Sequence, residues 1–420
     1  MGGVWALLGS LLKRLSRGRS NTLEEPHIEH IEVESLCFRE GRIEYEFSLR
    51  LSKPSEILSL NRGLNAQLEG DGWRGRKRVE RGLGWATLMV YSKRGGYMEA
   101  SGRVWGETED FTLSAYGTRV GRALLKDETI WHPIPSVNLV SWGLSGVVES
   151  FLIAGRECEG RLVAPGEHRG QEVFEGRFRA RHPGVSVIIG PYRRVSLESG
   201  EAYLWGGLDR GGVRSVLGEI DSLSAPFMER GLLASRIDRV VEVWDENDPF
   251  AQENMIAVRS RVLRGLASGK DEARYEVLVS IASLATASTR LKALDAYWFF
   301  ESLPEALAMA ASQDLEGFEK VVESRVRQLE GCVRDTLGGK APIYGSGLPR
   351  GARQRAIIRC GGPLALWRLV ESAGPESLWS IVSCVSRAGG YGEEDVRRCI
   401  EAESREVSEE VFSKGNLLER

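Results

Sequence analysis

Residues 251–301 read AQENMIAVRSRVLRGLASGKDEARYEVLVSIASLATASTRLKALDAYWFFE, and the landmarks in this stretch set the fold expected for the chain. The string Ala251-Gln252-Glu253-Asn254-Met255 comes first, at the head of an apolar run, Met255–Val262, of strand character. Arg274–Ser288 follows with helical composition, and Trp298-Phe299-Phe300-Glu301 closes the set. Within the helix-like part, Leu278–Thr289 holds no His, Asp, Glu or Cys. All five histidines, His27, His30, His132, His168 and His182, precede residue 183. The segment that carries the landmarks therefore contains no imidazole.

Upstream, Ile31–Leu204 is strand-like. Ile43–Leu51 (IEYEFSLRL) alternates apolar and polar residues, the pattern of a strand with one buried face. Tyr97–Trp105, Val173–Arg181 and Val185–Ile189 share that character, with turn signals at Arg94-Gly95-Gly96 and Pro165-Gly166. Such a series predicts an antiparallel sandwich or saddle. The pattern changes after Gly206–Gly212. Val213–Leu233 reads as a helix, Arg239–Trp244 and Met255–Val262 as short strands, and the chain beyond Asp271 as helical. Asp314–Leu337 and Pro363–Val385 have apolar residues near every third or fourth position, separated by the Gly- and Pro-rich Gly338–Gly351. The expected class is α+β, with an N-terminal antiparallel β-sandwich or saddle ahead of a mostly helical domain. The expected divisions are an amphipathic segment over 1–25, a β-rich domain over 26–208 and a helical domain over 209–420.

At 420 residues the chain is long enough for two cores. A hydrophobic content of 42% and a charged content of 27% are those of a soluble globular protein. The formal net charge of -3 offers no uniform field for nucleic acid, so no nucleic-acid partner is expected. No phosphate-binding G-x-x-x-x-G-K-[ST] loop, G-x-S-x-G elbow or C-x-x-C pair is present. Arginine outnumbers lysine by about four to one, which is read as a GC-rich, thermophilic source. The six scattered cysteines are read as reduced, mostly buried thiols of a cytoplasmic protein, although a hyperthermophilic source would allow intracellular disulfides. Residues 1–19 combine Val4, Leu7, Leu8, Leu11, Leu12 and Leu15 with Lys13, Arg14, Arg17 and Arg19. This segment is too short to span a bilayer. It either contacts a membrane surface, docks on a partner, packs on its own protein or frays. His27 and His30 are read as surface residues rather than ligands.

In order and spacing, the landmarks resemble the aminopeptidase N (gluzincin) family of zinc metallopeptidases. In the β-rich half, Trp131-His132-Pro133 resembles the family's W-Y-P, and Gly190-Pro191-Tyr192 resembles a G-x-Y that closes the same domain. The resemblance implies that the helical domain is thermolysin-like. Ala251, Glu253 and Asn254 match the family's G-A-M-E-N string, with Phe250 in place of its glycine and Gln252 in place of its methionine. It implies that Glu253 and Asn254 hold the amino terminus of a peptide. The competing reading is a solvated Glu in a turn before a strand.

The family binds zinc through H-E-x-x-H on one helix and a Glu from the next. With Glu301 taken as that last ligand, counting back places Leu278 and Ala282 at the two His positions and Val279 at the general base. Arg359 or Cys360 falls where the family carries a transition-state tyrosine. The expectation is a degenerate zinc site with no catalytic residue, no metal and no cofactor. The chain is then an inactive relative retained for peptide or protein binding or for scaffolding. Two other readings stand beside it: a zinc-free hydrolase using Glu253, Asp295 and Glu301 as acid and base, and an unrelated β plus α assembly protein. Glu301 is expected either to be buried, with a raised pKa or an Arg290 partner, or to be an ordinary exposed Glu.

Overall fold

A computed structural model describes residues 26–418 apart from 40–41, 62–63, 70–72, 82–83, 108–122, 126–130, 136–147, 157–159, 171, 183, 245–248, 288, 290–293, 341, 346–351 and 388–390. The membrane or docking reading of residues 1–19, and Arg290, lie outside the described residues.

The β-rich half contains β1 (Ile28–Arg39), β2 (Arg42–Asn61), β3 (Asn65–Leu68), β4 (Trp73–Arg81), β5 (Gly84–Glu107), β6 (Ala123–Leu125), β7 (Val148–Gly155), β8 (Arg161–Val163), β9 (Glu167–His168), β10 (Val173–His182) and β11 (Val187–Gly190). One large sheet runs β3-β5-β2-β1-β7-β10-β9 with β4 on β5, and a small one runs β6-β11-β8. Pairing is antiparallel except between β1 and β7. The alternation in β2 acts as expected. Ile43, Tyr45, Phe47, Leu49 and Leu51 enter the core, while Glu46, Ser48 and Arg50 face out. Trp131 is fully buried, its indole N–H donating to Val185 O (2.6 Å). His27 and His30 are half-buried. His27 bonds Glu149 (2.7 Å) and Ser52 (2.9 Å), and His30 bonds Ser150 (2.9 Å), so they tie strand ends together rather than standing free on the surface.

A third sheet joins the halves. It comprises β12 (Arg193–Leu197), β13 (Gly200–Leu204), β14 (Arg239–Val243), β15 (Phe250–Gln252) and β16 (Met255–Arg259), in the order β12-β13-β14-β16-β15. β13, β14 and β16 are parallel neighbours. Tyr203, Val241, Val243, Met255 and Ala257 belong to the core of the β-rich half. The alternate residues Ala202, Leu204, Val240, Ile256 and Val258 belong to the helical core. Burial on both faces explains why Met255–Val258 of β16 reads as an unbroken apolar run, while β14 (RVVEV) carries Arg239 and Glu242, both buried, among its valines. Residue 208 lies between β13 and β14 of this one sheet.

The helical half contains α1 (Arg210–Glu229), α2 (Ser260–Ala267), α3 (Asp271–Thr286), α4 (Tyr297–Ala311), α5 (Glu319–Leu337), α6 (Ala352–Ala356), a π turn (Ile357–Gly361), α7 (Gly362–Ala373), α8 (Pro375–Arg387) and α9 (Glu393–Glu403). Asp209 caps α1 by accepting from Gly212 N (2.7 Å). The helix expected over Pro363–Val385 is two helices. Gly374 takes φ 85°, and Pro375 begins the next helix. The strand expected to reach Val262 stops at Arg259, where α2 begins.

The expectation of reduced thiols is overturned. Cys332 of α5 is bonded to Cys360 of the π turn (Cα–Cα 6.1 Å), and Cys384 of α8 to Cys399 of α9 (6.0 Å). Cys37 is also disulfide-bonded. Helix packing brings each pair to the usual Cα spacing of a disulfide, which their spacing along the chain does not reveal. The two loops, closed over 28 and 15 residues, correspond to about 3.6 and about 3 kcal/mol of lost unfolded-state entropy.

Candidate functional site

The hairpin β15–β16 turns at Glu253-Asn254, and Glu253 takes φ 49°, a left-handed conformation unusual for a residue other than glycine. β15 is the edge strand of its sheet. The residues flanking Glu253 both reach into the β-rich half. Gln252 is buried, its Oε1 accepting from Ser186 N (2.7 Å) and its Nε2 donating to Gly184 O (2.8 Å). Asn254 Oδ1 accepts from Gly166 N (2.8 Å), while Nδ2 donates to Asp238 Oδ1 (2.9 Å) and Gly166 O (3.3 Å). Glu253 points elsewhere. It is half-buried, and Oε2 accepts from Ser235 Oγ (3.4 Å). The structure thus brings the predicted pair together at one turn but splits their local roles. The part played by Gln252 was not foreseen, because its partners lie 66 and 68 positions away in sequence.

Beside this turn sits a buried ion pair. Arg239 Nε donates to Glu201 Oε1 (2.5 Å), and Nη1 donates to the carbonyls of Ala164 (2.6 Å) and Gly166 (2.8 Å). The guanidinium also lies over the Phe174 ring (5.0 Å). Burial alone would raise the Glu201 carboxyl. The charge and hydrogen bond of Arg239, helped by Arg194, hold it below the ordinary range. His168 stacks on Phe174 (4.7 Å), and burial followed by the charge of Arg194 lowers its pKa.

Helix α3 packs against both β15 and α4. Leu278 and Ala282 of α3 are fully buried, and Val279 is half-buried against the helical core. On α4, Trp298 is fully buried and Glu301 is exposed, so the exposed alternative for Glu301 is the one found. One turn further on, Glu305 Oε1 accepts from Tyr275 Oη of α3 (2.8 Å) and Arg325 Nε of α5 (2.7 Å), pinning three helices with one carboxylate. Burial, followed by the Glu305 charge, holds Tyr275 well above its ordinary pKa.

This donor set does not fit zinc. Aliphatic groups at 278, 279 and 282 offer no lone pair, and Glu301 is one oxygen ligand where a catalytic zinc takes three protein ligands. Among the described residues no cluster of three or more His, Cys, Asp or Glu side chains could hold a metal ion. Of the two residues expected at the family's tyrosine position, Cys360 has its sulfur bonded to Cys332, and Arg359 is exposed.

Asp295 accepts from the backbone N of Glu393 (3.1 Å). One groove of about 480 Å³ is lined by Arg230, Trp379, Glu376 and Glu403. Another, of about 460 Å³, crosses the open face of the large sheet beside Glu32, Glu34, Glu46 and Arg103. Glu253, Asp295 and Glu301 line neither.

No family model matches the sequence, and no curated protein matches it. Solved structures do match the fold. Yeast LTA4 hydrolase in complex with bestatin superposes with a TM-score of 0.64 at 11% identity, over 97% of this chain and 72% of that one. A mutant M1 zinc metallopeptidase from Deinococcus radiodurans, bound to a Tyr-Ser-Ala substrate, superposes with a TM-score of 0.60 at 13% identity, over 94% of this chain and 95% of that one. At these identities the likeness is one of fold: a multi-stranded sheet domain and a helical domain, as in M1 zinc metallopeptidase structures.

Proposed function

We propose that this chain keeps the architecture of an M1 metallopeptidase without its hydrolytic chemistry, and binds the amino terminus of a peptide or protein. The observation that carries the reading is the burial of Leu278 and Ala282 on α3, side by side with α4, where the aligned family positions are histidines. Without ligands there is no Lewis acid to polarise a peptide carbonyl and no activated water. What supports binding is the other half of the alignment. Glu253 stands at the end of an edge strand, and a carboxylate there suits a peptide ammonium while the open strand edge suits a peptide backbone. The purified chain is expected to contain no stoichiometric zinc by mass spectrometry and to leave aminoacyl-coumarin substrates intact. One tight zinc per chain would overturn the first half of the reading. For the second half, isothermal titration should detect Tyr-Ser-Ala but not its N-acetylated form, and Glu253→Gln should weaken binding at least about tenfold. Equal affinity for the two peptides would remove the ammonium as the recognised group.

A further inference from the structure

The helix formed by α6 and α7 is interrupted at Ile357–Gly361, where Gly362 N–H donates to the carbonyl of Ile357, five residues back. Such π turns are rare, and neighbours must hold them open. Two holds are visible. Ser302 of α4, fully buried, donates through Oγ to Ile358 O (2.9 Å). A Cβ at position 362 would overlap that hydroxyl, so the turn sits as close to α4 as a glycine allows. The second hold is covalent, the bond from Cys360 to Cys332 on α5. Both of these cysteines are half-exposed. In the Cys384–Cys399 bond only Cys384 is half-exposed while Cys399 is buried, and that bond joins two regular α-helices.

We propose that Cys332–Cys360 is a redox latch whose reduction frees the π turn and, through Ser302, the Glu301 end of α4. The reductant is a dithiol. Its thiolate attacks one sulfur and the other leaves as a thiolate. The second thiol of the dithiol then closes on the mixed disulfide. Two electrons and two protons pass to the protein, which gains two thiols, and the dithiol becomes a cyclic disulfide. Once released, the turn can return to ordinary i to i−4 pairing, which carries the Ile358 carbonyl away from Ser302. The latch is independent of whether the Glu253 turn binds a peptide.

The test treats the folded full-length chain with dithiothreitol, follows thiols by alkylation and mass spectrometry, and follows backbone amides by hydrogen exchange. Cys332 and Cys360 should be alkylated before Cys384 and Cys399. Amides in 352–373 and 297–311 should then exchange at least about tenfold faster while the β-rich half keeps its protection. The double variant Cys332→Ala/Cys360→Ala should show the fast pattern without reductant, and Cys384→Ala/Cys399→Ala should still respond to it. The proposal falls if the bond resists dithiothreitol in the folded protein, if it is reduced with no change in exchange, or if loosening spreads over the whole helical half. Should the double variant not fold, the reduction series on the wild-type chain decides alone.

Discussion

Arg239 and Glu201 meet at 2.5 Å beneath the Glu253-Asn254 turn, with the arginine almost wholly buried and also bonded to Ala164 and Gly166 of the β-rich half. Arg239, together with Asn254, ties the loop at 164–166 to the shared sheet. Removing Arg239 leaves the Glu201 carboxylate with Arg194 alone and takes the donor away from the Ala164 and Gly166 carbonyls. Arg239→Met should therefore cost about 3–5 kcal/mol in urea unfolding, with part of the loss recovered by the double change Arg239→Met/Glu201→Leu. A loss under about 1 kcal/mol for the single variant would show that the pair is hydrated in solution.

Asn254 and Glu253 are neighbours whose substitutions should separate. Asn254→Ala removes three hydrogen bonds to Gly166 and Asp238 and should lower stability by about 2–3 kcal/mol. Glu253→Gln retains the acceptor for Ser235 and should change stability by less than about 0.5 kcal/mol while weakening peptide binding. If Glu253→Gln destabilises as much as Asn254→Ala, the carboxylate belongs to the framework and not to a site.

Much of this arrangement was legible in the sequence, for identifiable reasons. Strict alternation in Ile43–Leu51, the valines of β14 and the apolar start of β16 are local signals, and each marked a strand, although β16 ends at Arg259 rather than Val262. The absence of histidine after residue 182 was equally plain. Other features rest on contacts that no local pattern encodes. Gln252 looks like any polar residue until Gly184 and Ser186 are brought beside it. Six cysteines allow fifteen pairings, and nothing in their spacing selects Cys332 with Cys360. The π turn is invisible for a similar reason, since Ile357–Gly361 satisfies a helical pattern and only Ser302 and the disulfide reveal the extra residue.

His132 gives a pH signature separate from that of Glu201. It is fully buried beside Trp131, and burial lowers its pKa to about 4, against a smaller opposing effect of the Pro133 carbonyl. The unfolded chain binds a proton near pH 6.5 and the folded chain does not until about pH 4, so stability falls as pH drops across that window. The loss is on the order of 3 kcal/mol. Glu201, whose carboxyl is depressed in the folded state, loses its contribution lower still, as pH falls below the ordinary carboxylate range. Urea midpoints from pH 7 to pH 4 should slope for the wild type and slope less steeply for His132→Gln, the lowered pKa of His168 leaving a remainder of the same sign. An unchanged slope in His132→Gln would assign the effect to other groups.

The register proposed for a degenerate zinc site can be tested by building one. Leu278→His and Ala282→His place two imidazoles at i and i+4 on α3, facing α4, and Val279→Glu supplies the missing base while Glu301 is already present. Without metal, the two histidines enter a filled core at Leu278 and Ala282 while the glutamate replaces a half-buried valine, and the triple variant should be several kcal/mol less stable than the wild type. Zinc should reverse this, because binding to the folded state alone stabilises by RT ln(1 + [Zn]/Kd), about 2.7 kcal/mol at one hundred times Kd. The expected result is a zinc-dependent rise in Tm for the triple variant, absent from the wild type and weakened by Glu301→Gln. If zinc leaves Tm unchanged although the variant is folded, Leu278 and Ala282 are not the positions that faced a metal, and the alignment built back from Glu301 is wrong by at least one residue.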